Sequence, residues 1–175
     1  MSKSKKMILS AFLLALLIVL SRFASIQTQL LVISTSFIPI MMSAIWLGPK
    51  YSTLIAALGD LIGAILFPFG TYFPGFTLSA GLSGFIYGIF LYQNSSDIPQ
   101  WKFILKLILS SFLDLGIVNI FIKSLWLHFL YQEAYGAILT TRIATQVVML
   151  PVQVIVIFSL EKFTRPFVKK YLMED

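Results

Sequence analysis

Cysteine is absent from this sequence. Its absence excludes disulfides, thiolate metal centres and thiol nucleophiles, and it leaves the redox compartment undetermined. Histidine is nearly absent too: His128 stands alone, so a metal site built on it would lack partners, and it reads as an interfacial residue. Charge is scarce. Only 11% of residues are Asp, Glu, Lys or Arg, against about a quarter in an ordinary soluble domain. No G-x-x-x-x-G-K-[ST] run occurs, so the chain carries no phosphate-cradling loop of its own, and any ATP-driven activity must come from a partner.

What is present is apolar surface. Of the 175 residues, 58% are apolar, and the mean hydropathy is +0.92. Such a chain is built for lipid. A spanning helix needs roughly 20 apolar residues, so the length accommodates about six spans and no second soluble domain. The formal charge of +6 would suggest nucleic acid in a soluble protein. Here the basic residues sit at span ends, which points to the membrane surface instead. Lys3, Lys5 and Lys6 before an apolar run resemble a signal peptide, but the run continues to Phe23 without an A-x-A cleavage site. It reads as a first span.

The expected fold is an all-α integral membrane protein. It is one domain, 1–175, of six transmembrane helices at about 7–25, 33–47, 51–67, 76–93, 101–127 and 137–163, joined outside by irregular loops. In the first span, Ala11 and Ala15 make a small-x-x-x-small step suited to close helix packing, within the chain or against a partner. Arg22 ends that span; it either snorkels to headgroups or faces a polar cavity and holds an anion. Residues 24–36 are rich in Ser, Thr and Gln and read as an outside loop with extended character, folding over a pocket. The second span is expected to kink near Pro39 and stops at Gly48-Pro49. Asp60 in the third span is an intramembrane carboxylate. It serves either a functional site or a hydrogen bond to a neighbouring helix.

The most informative stretch is 68–88. Pro68, Gly70, Pro74 and Gly75 break helical structure, and Phe67, Phe69, Tyr72 and Phe73 line the break with aromatic rings. From Phe76 onward, Ser79, Ala80, Gly81, Ser83, Gly84 and Gly88 alternate with large apolar residues, as in a helix packed tightly on its neighbours. An aromatic hairpin feeding a small-residue helix looks like the lid and one wall of a pocket. Residues 93–100 read as a cytoplasmic loop. In the fifth span, Trp101, Lys102 and Lys106 anchor the inner end and Asp114 lies near the middle. Asn119, Lys123 and Trp126 follow at i, i+4 and i+7 and so share a face. Residues 128–136 read as an outer loop. In the sixth span, Arg142, Gln146, Met149 and Gln153 form a stripe at i, i+4, i+7 and i+11 that must face inward.

One side of the bundle collects Lys3, Lys5, Lys6, Lys50, Lys102, Lys106, Lys162, Arg165, Lys169 and Lys170, and the opposite loops have no lysine. Positive-inside bias then puts both termini in the cytoplasm, which six spans satisfy. Arg22, Asn119, Lys123, Arg142 and Gln146 fall in the outer half. Together with Tyr72, Phe73 and Trp126 they suit a flat heteroaromatic ligand with carboxylates. Rings stack on aromatics, amides match donor–acceptor edges, and cations hold acids.

The run FGTYFPGFTLSA at 69–80, continued by the G-x-x-G-x-I-Y-G pattern of 81–88, resembles the vitamin-binding S components of energy-coupling factor transporters, and within them the folate family. That resemblance implies a plasma-membrane subunit with no catalytic or metal residues and no cofactor. It would capture folate outside, and a transmembrane coupling subunit with two ATPase subunits would drive uptake. Ala11-x-x-x-Ala15 matches the family's docking motif for the coupling subunit, and the hairpin from Gly70 through Pro74 to Gly75 matches its binding loop. Our role assignment gives Arg22, Lys123 and Arg142 to carboxylates, Asn119 and Gln146 to pterin edges, and Tyr72, Phe73 and Trp126 to stacking. Two alternatives remain: an S component for another vitamin such as pantothenate, and an intramembrane enzyme using Asp60 and Asp114 as paired acids. A channel would need polar residues continuing to the cytoplasmic side, and the inner halves of the later spans are largely apolar.

Overall fold

A computed structural model of the protein describes residues 2–27, 32–68, 71–92, 99–132 and 135–168. Helix α1 (Lys3–Phe23) starts where the Ser2 hydroxyl accepts the Lys5 N–H at 3.3 Å, which caps one of the free donors of the first turn. A short antiparallel hairpin follows, β1 (Ser25–Gln27) on β2 (Val32–Ser34), with Ser25 opposite Ser34. The second span therefore begins later than expected. Helix α2 runs Phe37–Leu47. Pro39 lies in its first turn, where backbone N–H groups have no helical partner anyway, so it produces no mid-helix break.

Gly48 turns the chain with φ 84°, a left-handed backbone that a side chain disfavours. Pro49 then opens α3 (Pro49–Leu66) at its first position. Helix α4 is Pro74–Leu91. The expectation that Pro74 and Gly75 continue the broken segment is corrected: both lie in the first turn of α4. Phe73 ahead of them is extended, as a residue before proline prefers. Helix α5 is Gln100–Tyr131. Its middle, Asp114–Ile122, is a π-helical stretch with wider turns. His128 belongs to this helix and not to a loop. Helix α6 is Tyr135–Val168 and contains Pro151 and Pro166.

Helices α3 and α4 pack backbone to backbone. A Cβ at Gly84 would run into the Ser52 carbonyl, and one at Gly88 into the Pro49 Cα. The close approach brings the Ser52 hydroxyl to the Gly84 carbonyl oxygen at 2.7 Å. Such contacts are how helices associate where apolar surface alone gives no preference between protein and lipid.

At one end of the bundle the interior is solid. Leu13, Met41, Leu91, Phe103, Leu107 and Ile157 are essentially inaccessible there and pack as one cluster. That end also carries Lys3, Lys5, Lys6, Lys50, Lys102 and Lys106, near the starts of α1, α3 and α5. Glu161, near the end of α6, pairs with Arg165 at 2.7 Å. The outer surface is the reverse of a soluble protein's. Large apolar side chains such as Phe12, Ile65, Leu78, Phe112, Phe129, Ile155 and Phe163 point outward and exposed. Among the described residues, α1, α4, α5 and α6 are long and apolar enough to cross a membrane.

Replacing Gly88 with Val should lower the thermal unfolding midpoint in detergent, with a cost of about 1–3 kcal/mol for overpacking. Gly116, whose Cβ would meet nothing within 4 Å, should accept Ala with a midpoint no lower than the parent's.

Candidate functional site

The opposite end is hollow. A cavity of about 570 Å³ lies among all six helices, within the usual size of small-molecule sites. Its wall takes Leu17, Ser21 and Arg22 from the end of α1, and Asp60 and Ala64 from the second half of α3. Asn119, Lys123 and Tyr131 come from the second half of α5. The even helices contribute Phe37 and Ile40 from the start of α2, Phe76 and, further along, Tyr87 from α4, and Arg142 and Gln146 from the first half of α6. Consecutive helices thus run in alternating directions, and the cavity lies toward the end away from the lysines, with Leu17, Phe37 and Tyr87 belonging both to its wall and to the packed core.

The stripe on α6 faces inward along its whole length. Arg142, Gln146, Met149 and Gln153 all line the cavity. Arg22 lies over Gly63, where an added Cβ would come within 2.8 Å of its Nε. Of its two expected settings, the structure has the one facing the cavity. Tyr72 and Phe73 stand on the wall, and Tyr72 is 43% exposed at the mouth. Trp126 does not line the cavity. It packs behind Phe73 with ring centres 5.4 Å apart, and its Nε1 donates to Ser79 Oγ at 3.0 Å. Gly75 is buried beneath both rings, where an added Cβ would collide with Phe73 and Trp126. Pro74 is exposed at the start of α4, outside the wall. Gly70 and Phe69 lie outside the described residues. Ala11 and Ala15 are exposed on α1, away from the cavity, so they are not close-packing positions within the chain.

Polar groups cluster toward the floor. Asp114 is 3% exposed. Its Oδ2 accepts the Tyr87 hydroxyl at 2.8 Å and the Asn119 amide at 2.9 Å. Asn119 also donates to the Asp114 carbonyl at 3.3 Å, a pairing five residues apart that the π-helical turn brings together. Asn119 Oδ1 accepts from Lys123 Nζ at 2.8 Å, and the Asn119 carbonyl accepts from Arg142 Nη1 at 3.0 Å. One network therefore ties α4, α5 and α6 together. A second, smaller one crosses from α3 to the lid: Thr77 donates to Asp60 at 2.8 Å, and the Tyr72 hydroxyl lies 3.2 Å from Thr77 Oγ1. Each carboxylate thus accepts from hydroxyl or amide groups of its own neighbourhood. Both line the cavity, and neither is hydrogen-bonded to the other. Three atoms at the cavity are buried without a hydrogen-bond partner: Arg22 Nε, Arg142 Nε and Asp114 Oδ1.

Sequence reasoning did not single out Tyr87, met Gln153 only as the last member of the inward stripe, and met Asp114 as a mid-span acid and as one of the paired acids of the enzyme alternative. The available signal was Tyr87 in the small-residue helix: a phenol among glycines at membrane depth needs a polar partner on another helix.

A helical membrane protein with a cavity lined by cations, amides and aromatic rings, sealed at one end by packed side chains, is a binding subunit by design. The family model for the ECF transporter, substrate-specific component, matches residues 5–161, and the chain belongs to that family. It is 36% identical over 159 residues to the folate transporter FolT of Clostridium novyi (strain NT), covering 91% of this chain and 89% of that one. To the folate transporter FolT of Leuconostoc mesenteroides subsp. mesenteroides it is 35% identical, covering 86% and 81%. A crystal structure of FolT bound with folic acid superposes with a TM-score of 0.78 at 34% identity, covering 90% of this chain and 91% of that one.

Tyr87→Phe should lower the thermal unfolding midpoint. It removes a donor from a buried carboxylate at a cost of about 1–3 kcal/mol, and differential scanning fluorimetry in detergent reads the change.

Proposed function

We propose that this chain is the folate-capturing subunit of an energy-coupling factor transporter in the plasma membrane. All six helices cross the bilayer, α2 and α3 included, with both termini in the cytoplasm. The basic end of the bundle then faces the cytoplasm, as positive-inside bias requires, and the cavity opens outward. Folate meets the cavity there, and a transmembrane coupling subunit with two ATPase subunits supplies the energy for uptake. The exposed Ala11 and Ala15 on α1 form the face that meets the coupling subunit.

The observation that carries the reading is the pairing of cations that keep an unpartnered N–H with aromatic rings in one cavity closed at its inner end. Arg22 and Arg142 each present a buried Nε with no partner. Lys123 lines the same cavity and donates to Asn119 Oδ1 at 2.8 Å. Folate brings two carboxylates for those cations and a flat ring system for Phe73, Phe76 and Tyr72. The full-length likeness to FolT proteins supports folate over other acidic vitamins.

Isothermal titration of the purified protein with folic acid should give submicromolar affinity. Millimolar affinity, or tighter binding of pantothenate, would overturn the assignment. Arg142→Ala should weaken folic acid binding about tenfold or more, the loss of a charge-assisted contact. Ala11→Leu together with Ala15→Leu should abolish co-purification with the coupling subunit and leave folic acid binding unchanged. Equal loss of both would mean that this face stabilises the fold.

A further inference from the structure

We propose that Arg142 is the positioning residue of α5: it supplies the donor that wide winding denies the Asn119 carbonyl, and so holds the turn that seats Trp126 behind Phe73. Without it the turn closes to ordinary α-helix and the aromatic wall of the cavity loses its backing.

The register of the main chain shows why a donor is wanted. In an α-helix the Lys123 N–H bonds four residues back, to Asn119. Here it bonds five back, to the Val118 carbonyl. Ordinary winding resumes at Lys123, which sends the next N–H, that of Ser124, to Ile120. The Asn119 carbonyl lies between those two acceptors and is skipped. A skipped carbonyl inside a helical bundle must find its donor elsewhere. It accepts Arg142 Nη1, from α6, at 3.0 Å. With that donor removed, the Lys123 N–H is the main-chain group that can serve the carbonyl, and serving it is α-helical closure.

Two polar contacts from other helices bracket the wide stretch: Tyr87 at Asp114, where it begins, and Arg142 at Asn119, near its end. Between them Gly116 leaves open space where a Cβ would go, so no neighbour grips the backbone there. Beyond the turn stands Trp126. Its Nε1 donates to Ser79 Oγ on α4 at 3.0 Å, and its ring backs Phe73, which lines the cavity. The seat is close-fitting, since a Cβ on Gly75 would lie 2.8 Å from the indole. Tighter winding ahead of Lys123 turns the indole out of this seat. On the folate reading above, a ligand that draws on Arg142 thereby acts on the charged wall and the aromatic wall together.

The chain has no cysteine, so spin labels attach only where cysteine is introduced. One pair, Leu78→Cys on α4 with Phe129→Cys on α5, reads the part of α5 beyond the wide turn. A second, Ile89→Cys with Leu105→Cys, reads the same two helices ahead of it. All four positions are exposed. Pulsed electron–electron resonance on the full chain in detergent, without ligand, measures both distances. Adding Arg142→Met should shift the 78–129 distance and leave the 89–105 distance in place. An unchanged 78–129 distance overturns the proposal. If both distances shift, the variant has lost its fold, and Arg142→Lys, which returns a donor, decides. Parental distances then uphold the proposal, and a shifted 78–129 distance overturns it. The measurement uses no ligand, so a negative result leaves the folate reading standing.

Discussion

The carboxylate of Asp114 is buried in the bundle, and groups from α4 and α5 hold it. In hydrocarbon, every polar group has to find its partner within the protein, and a charged one needs several. Tyr87 and Asn119 supply two hydrogen bonds to one oxygen, Lys123 brings a cation through Asn119, and Arg142 joins from α6. Around the hollow half of the bundle these contacts do what apolar packing does around the solid half. They hold the helices at fixed spacing although the space between them is not filled by side chains.

The two halves divide the work. In the solid half, glycines let α3 and α4 touch along their backbones, and the packed cluster around Leu13, Met41 and Leu107 closes the interior. That closure makes the cavity blind. A blind cavity suits the substrate-specific component of a transporter, which binds on one side. In the hollow half, the wall is a mixture that water tolerates before a ligand arrives: exposed Tyr72 at the mouth, serine hydroxyls on α1 and α4, and cations with unsatisfied donors.

Much of this was visible in the residue order. The stripe of Arg142, Gln146, Met149 and Gln153 repeats with the period of a regular helix, and a regular helix places all four on one wall. The gathering of lysines at one end, and the polar residues toward the other, needed only a count along the spans. Other features were hidden for definite reasons. Trp126 shares a face with Asn119 only if α5 keeps 3.6 residues per turn, and between Asp114 and Ile122 it does not. Asp114 looked solitary because its phenol partner lies 27 residues away on another helix. Pro74 and Gly75 looked like chain breakers because the same residue types end helices and begin them. Only the extended Phe73 before them decides which.

The wide turns of α5 set the angular phase of its remaining third. Winding the same nine residues at ordinary pitch, with their number unchanged, would turn everything after Ile122 relative to Asp114. Lys123, Leu127 and Tyr131 would then rotate off the wall toward lipid or a neighbouring helix, while Asp114 stayed at the base. The chamber's composition is thus governed by winding as well as by residue identity, and a change of winding in this segment would redraw it more thoroughly than a substitution on its wall.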